Sequence, residues 1–193
     1  MGSRSSAMVA RAPRVRARRR LARVLGTALV PLLAIATPLR AQGGAASSSG
    51  GGGGPDQQFL REMADLNRGI ALLAHGAMHR PGASAAKTAA QRVDKAHDDE
   101  MDHLRAALTG LFHDSYSPRV SHADSATAAA LATRSGAAYD RAFRADVAAL
   151  DQRGIELIDR YAPQLTHPEL RTLAERMRAS AESEIASLRA TGR

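Results

Sequence analysis

The sequence predicts an all-α protein: an antiparallel four-helix bundle with a short extra helix between its second and third long helices. Three observations predict it. Apolar residues recur at alternating steps of four and three over long stretches, the spacing of a helix face that packs on other helices. No stretch alternates apolar and polar residues as a half-buried strand would. The chain has no Trp, three Tyr and three Phe in 193 residues. Its core must therefore be built from Leu, Ile, Val, Met and much Ala, and Ala-rich faces let helices approach closely.

Taken in order, residues 1–23 are rich in Arg and end in Arg18-Arg19-Arg20-Leu-Ala-Arg23. Residues 24–39 are apolar but interrupted by Pro31 and Pro38, and fall short of the roughly 20 residues a spanning helix needs. Leu39-Arg40-Ala41-Gln42 offers Ala at the −1 position of a cleavage site. Residues 1–41 read as a secretory signal peptide, which places the mature chain in the periplasm or cell envelope. Left uncleaved, this segment would be the chain's hold on a membrane. Residues 42–55, mostly Gly and Ser, cannot bury surface and read as a flexible tether. The domain is expected over 56–193.

The formal net charge of +8 invites a nucleic-acid partner, but its distribution argues against one. Nine of the 27 basic residues lie in the leader, which has no acid. The other 18 face 19 acidic residues, a formal charge of −1. Cysteine is absent, which excludes disulfides, thiolate metal sites and a Cys nucleophile.

In the first helix Asp56 is the expected N-cap. Phe59, Met63, Leu66, Ile70, Leu73 and Ala77 form its inner face, and Pro81-Gly82 breaks it. In the second, capped by Ser84, the seam runs Ala86, Ala90, Val93, His97, Glu100, Leu104, Ala107, Leu111. A loop then leads to a cap at Ser121 or Asp124 and a short Ala-rich helix over 124–134, interrupted by Ser135-Gly136. The third long helix spans about 138–161, with Phe143, Val147, Leu150, Gly154, Leu157 and Ile158 facing inward, and Ala162-Pro163 ends it. Thr166 and Glu169 have the spacing of a capping box. The fourth helix then carries Leu170, Leu173, Met177, Ala181, Glu184 and Leu188. Short connections are expected throughout. An internal repeat, Asp56-x-x-Phe59 against Asp140-x-x-Phe143, suggests two helical hairpins of common design.

These residues carry a family resemblance. Asp56–Leu104, with Asp56-x-x-Phe59, Asn67 and Asp94-x-x-His97, resembles the first half of the bacterial domain-of-unknown-function family numbered 4142. Ser135 to Leu188, with Tyr139-Asp-Arg-Ala-Phe143 and Pro168-Glu-Leu170, resembles its second half. That family is similar to ferritin-like bundles, as is the related family numbered 305, and its members are mostly exported. The resemblance implies fold and location. The chain departs from the family pattern where a third-helix Asp-His pair is replaced by Leu150-Asp151, a fourth-helix His by Glu184 and a first-helix Glu by Ile70. His97 alone is kept.

His97 and Glu100, one turn apart on an otherwise apolar seam, must find partners inside. With Asp151 and Glu184 they form a candidate mid-bundle site for a divalent ion such as Zn, Mn or Fe. A ferritin-type di-iron centre needs Glu-x-x-His from two helices. Here the motif occurs once, reversed, and the first helix offers Asn67. The competing reading is a structural polar cluster that fixes helix register. His75 and His79, at i and i+4, have chelating spacing but sit at a helix end, where a cation suits the dipole. No Gly-x-Ser-x-Gly elbow or phosphate-cradling loop occurs, so catalysis has no motif behind it. The sequence favours a non-enzymatic binding or interaction module with an envelope partner, and after it a metal-binding protein.

Overall fold

The computed structural model describes residues 54–82 and 84–191. The leader, nearly all of the Gly/Ser tether and the Ser84 side chain lie outside the described residues. Those described are all-helical: α1 (Pro55–Met78), α2 (Ser84–Phe112), α3 (His122–Ala132), α4 (Gly136–Tyr161) and α5 (Pro168–Ala190). A 3₁₀ turn, Ala162–Gln164, joins α4 to α5. No described helix is long and apolar enough to cross a membrane.

Helix α1 starts one residue before the expected Asp56 cap. Pro55 occupies the first turn, where its missing N–H costs nothing, and Gly54 takes the N-cap position. Asp56 is instead buried and serves α5. Its carboxylate accepts from the Thr166 and His167 backbone N–H groups at 2.9 and 3.2 Å and from the Thr166 hydroxyl. The capping box expected at Thr166 and Glu169 therefore does not form. His167 is the N-cap but its side chain makes no capping bond, Thr166 turns to Asp56, and Glu169 stays exposed. The expected cap at Ser121 does form, accepting from the Asp124 N–H at 3.0 Å.

The α2 seam also departs from the predicted one. The residues buried on it are Ala86, Ala90, Val93, His97, Met101, Leu104 and Leu108, whereas Ala107 is half-buried and Leu111 is exposed. A strict heptad suits a supercoiled helix, and a straighter helix drifts about 20° per heptad away from it. That drift brings Met101 and Leu108 inward and carries Leu111 out.

Helix α1 packs on α2 and α4, and α4 on α5. Asp56 sets the start of α1 beside the start of α5. Asp140, the fifth residue of α4, accepts the Ala86 N–H of α2 at 3.3 Å, so those two helices also start together. It follows that α2 and α4 run the same way, and the link between them crosses the length of the molecule, unlike the short connection expected. It climbs along α1. Asp114 binds Gln57 and Arg61 at 2.9 and 2.8 Å, the Tyr116 hydroxyl and Arg119 N–H donate to Asp65, and Asp124 sits on Gly69. Arg80 reaches the Arg134 carbonyl at the far end.

Gly69 is the closest approach on this path. A Cβ there would lie 2.9 Å from Asp124 Oδ2. Asp124 has little room to yield, because Ser121 and Arg153 hold it at 2.6 and 2.7 Å. Gly69→Ala is expected to cost about 1–3 kcal/mol through overpacking, despite the better helix propensity of Ala. Thermal unfolding checks this, and an unchanged or raised Tm would refute the tight crossing.

The interior has two apolar clusters. One gathers Ile70, Leu73, Val93, Phe143, Val147 and their neighbours. The other gathers Phe59, Met63, Leu104, Leu170, Met177 and theirs. Between them lies a polar layer containing buried Asn67, His97 and Asp151.

Candidate metal centre

Each polar residue of this layer takes a position that the helical repeat turns inward. His97 stands between Val93 and Met101 on α2, Asn67 between Ala64 and Ile70 on α1, and Asp151 between Val147 and Gly154 on α4. Glu184 lies in the last third of α5 and still reaches the layer. Helical side chains lean toward their own N-terminus, which for α5 is back toward the layer.

The imidazole of His97 organises the group. Its Nδ1–H donates to Asn67 Oδ1 at 2.6 Å. That bond fixes the ring and leaves Nε2 facing Glu184 Oε1 at 3.4 Å and Asp151 Oδ1 at 3.5 Å. Glu100 lies on the other side of the ring, its Oε2 3.4 Å from Nδ1. Of the four predicted residues, the fold thus brings three to one point. Each of His97, Asp151 and Glu184 offers a ligand atom, and these atoms lie within 4.8 Å of one another. Glu100 belongs to the layer but not to this group. Asn67 was visible in the sequence as one residue of the family resemblance and as the first helix's sole polar candidate, and its role as the ring's anchor emerges from packing.

The electrostatics are unbalanced. Around one imidazole stand three carboxylates, so even a protonated His97 leaves a formal excess of negative charge. Burial works against the imidazolium, but Asp151, Glu100 and Glu184 outweigh it and hold His97 well above its ordinary pKa. Burial pushes the Asp151 carboxyl up to about 6, with His97 opposing the rise and the Glu184 charge adding to it. Both Asp151 oxygens and Asn67 Nδ2 are buried without a hydrogen-bond partner in the protein. A cavity of about 10 Å³ adjoins the group, bounded by Met63, Asn67, His97, Asp151 and Met177 among others. That is room for one water or one small ion.

The other histidines are not drawn into the site. His75 pairs with Asp94 at 3.0 Å, and His79 caps α1, so the two do not chelate together.

Residues 40–190 match a family described as Domain of unknown function (DUF4142). The chain belongs to this family. Among solved structures it is similar to a DUF305 fragment from Deinococcus radiodurans, with a TM-score of 0.61 and 19% identity over 70% of this chain and 93% of that one. It is also similar to CopM in a Cu(II)-bound form, with a TM-score of 0.58 and 18% identity over 71% of this chain and 95% of the other. A silver-bound form of CopM gives a TM-score of 0.55 at 19% identity, covering 69% and 91%. No curated protein matches the chain significantly. At such identities the likeness is one of helical fold.

Proposed function

We propose that this DUF4142 chain is an exported metal-binding protein of the periplasm or cell envelope, built as a ferritin-like four-helix bundle, that holds one cation between His97 Nε2, Asp151 and Glu184. The observation that carries the reading is the buried Asp151 carboxylate, whose two oxygens lack hydrogen-bond partners beside an imidazole nitrogen and a second carboxylate. A buried carboxylate that accepts no hydrogen bond and has one imidazole at 3.5 Å is costly, and a cation relieves the cost while balancing the excess charge of the layer. The fit to a metal is chemical: one imidazole and two carboxylates suit first-row divalent ions, Zn, Mn, Fe and Cu among them. Copper joins the ions expected from sequence because CopM, similar in fold, has been seen with Cu(II) and Ag. Asn67 would act as the outer partner that orients the ligating ring.

The interaction-module reading calls for a contiguous apolar patch. Among the described residues the exposed large apolar side chains are Leu72 and Leu111, on different helices. The metal reading therefore has the stronger support.

The test is elemental analysis of the purified chain after loading with Zn, Mn, Fe or Cu and dialysis against a weak chelator, beside His97→Ala. About one equivalent of metal is expected in the parent, falling to background in the variant. Background metal in both, with a lowered Tm in His97→Ala, would leave the layer structural. Intact-mass analysis of secreted material tests export, which retention of residues 1–41 would refute.

A further inference from the structure

Two hollows flank the C-terminal half of α5. One, of about 480 Å³, lies between α2 and α5 and is lined by Arg92, Arg144 and the serines of α5. The other, of about 520 Å³, lies between α4 and α5 and is lined by Arg141, Arg144 and Arg189. They share Arg144 and Leu188, so the lining is continuous. Four guanidiniums from three helices thus face one trough in a domain whose formal charge over 56–193 is −1.

None of these four arginines makes an ion pair or hydrogen bond among the described residues. Arginines elsewhere in the fold do: Arg61, Arg153 and Arg178 each hold a carboxylate. The only acid in the lining is Glu184, which is already engaged with His97. Like charges clustered without partners repel, and the domain has spare carboxylates with which it could have paired them. The hydroxyls differ in the same way. Ser125, Thr127 and Thr172, away from the hollows, donate to carbonyls four residues back, and so does Thr191 at the end of the lining. Ser180, Ser183 and Ser187, which face the trough, make no such bond.

We infer that this trough binds an organic phosphate. Guanidinium forks match phosphate oxygens in pairs, and free hydroxyls complete the donor set. Four guanidiniums and three hydroxyls supply more donors than one carboxylate accepts. Each hollow falls within the few-hundred-Å³ range of small-ligand sites, larger than a bare inorganic ion requires. A soluble phosphate ester and a phospholipid headgroup present the same chemistry.

Two probes separate these sources on the full chain freed of metal with a chelator. One is inorganic pyrophosphate, followed by calorimetry. The other is co-sedimentation with phosphatidylglycerol–phosphatidylcholine vesicles against phosphatidylcholine alone. Saturable binding of pyrophosphate supports the site with a soluble ligand, and binding to the anionic vesicles alone supports it with a headgroup. In either case Arg144→Gln, which touches both hollows, is expected to weaken binding about tenfold or more, the loss of a charge-assisted pair. Arg189→Gln repeats the test at the last turn of α5. Arg176→Gln, outside the trough, is expected to leave binding unchanged. Failure to bind either probe overturns the inference, as does equal weakening by Arg144→Gln and Arg176→Gln.

Discussion

Asp151→Asn is expected to abolish metal binding and, at pH 8, to raise the Tm of the metal-free protein. The two effects have one cause. Asp151 is almost wholly buried and its oxygens find no hydrogen bond, while the nearest imidazole nitrogen stands at 3.5 Å. A carboxyl raised from 3.8 to about 6 by folding opposes folding once it ionises. The penalty at pH 8 is on the order of 3 kcal/mol, and an isosteric amide does not carry it. A gain of roughly 1–3 kcal/mol is expected, or about 3–8 °C for a domain of this size. At pH 5, still above the ordinary value of 3.8, roughly half of that penalty remains, so the gain should be about halved there and vanish only at lower pH. If Asp151 and His97 instead form a pair that holds the fold together, the same substitution leaves a buried charge uncompensated and costs about 3–5 kcal/mol. Unfolding at both pH values beside a metal titration separates the readings, and a large loss of stability would sink the metal site.

The pH dependence of the parent follows from the same groups. Both His97 and Asp151 have folded pKa values above their ordinary ones. Their contribution to stability is fully present below the unfolded values and is lost as pH rises through the folded ones. The charged groups facing them are Glu100 on α2 and Glu184 on α5, with neutral Asn67 on α1. The metal-free protein should therefore be more stable near pH 5 than near pH 8. Metal reverses the slope, because it needs the ligands deprotonated and its binding releases protons.

The helices and most of their inner faces were legible because a 3.6-residue period is a local property. Phe59 to Ala77 on α1 and Phe143 to Ile158 on α4 face inward as read, apart from half-buried Leu157. His97 and Glu100 announced themselves by interrupting an apolar seam, and Asp151 and Glu184 by lying near the middles of helices that an antiparallel bundle brings together. What escaped was set by partners distant in sequence. Asn67 looks like any polar residue until α2 brings His97 to it. Asp56 and Thr166 each have the chemistry of a local cap, so each was assigned one, yet they satisfy each other across 110 residues. The crossing of residues 113–135 was missed because loop length limits a path without choosing it, and its course depends on ion pairs and on the absence of a Cβ at Gly69.

The Asp56 carboxylate also explains the internal repeat, and its removal should have the second large effect. In Asp56-x-x-Phe59 and Asp140-x-x-Phe143 the two Phe side chains are fully buried, one in each apolar cluster. The two Asp residues each stand near the start of a hairpin's leading helix and accept backbone N–H groups at the start of the other hairpin's second helix. The motif is thus a reciprocal clasp, each hairpin capping its partner. The halves are unequal. Asp56 takes two backbone N–H groups, the Thr166 hydroxyl and the His167 ring, and although burial works to raise its pKa these bonds carry it below the ordinary carboxylate value. Asp140 takes one N–H at 3.3 Å and is half-buried. A lost cap costs about 0.5–2 kcal/mol, and charged bonds about 1.5–3 kcal/mol. Asp56→Ala should therefore lose about 3 kcal/mol or more and roughly 10 °C of Tm, and Asp140→Ala about 1 kcal/mol. A depressed folded pKa means that the Asp56 contribution is present above the ordinary carboxylate value and lost as pH falls through the folded one, so the gap between parent and Asp56→Ala should close in strong acid. Equal losses from the two substitutions, or an Asp56→Ala gap that does not narrow as pH falls below the ordinary carboxylate range, would show that burial of the hairpin ends and not the carboxylate clasp joins the two halves.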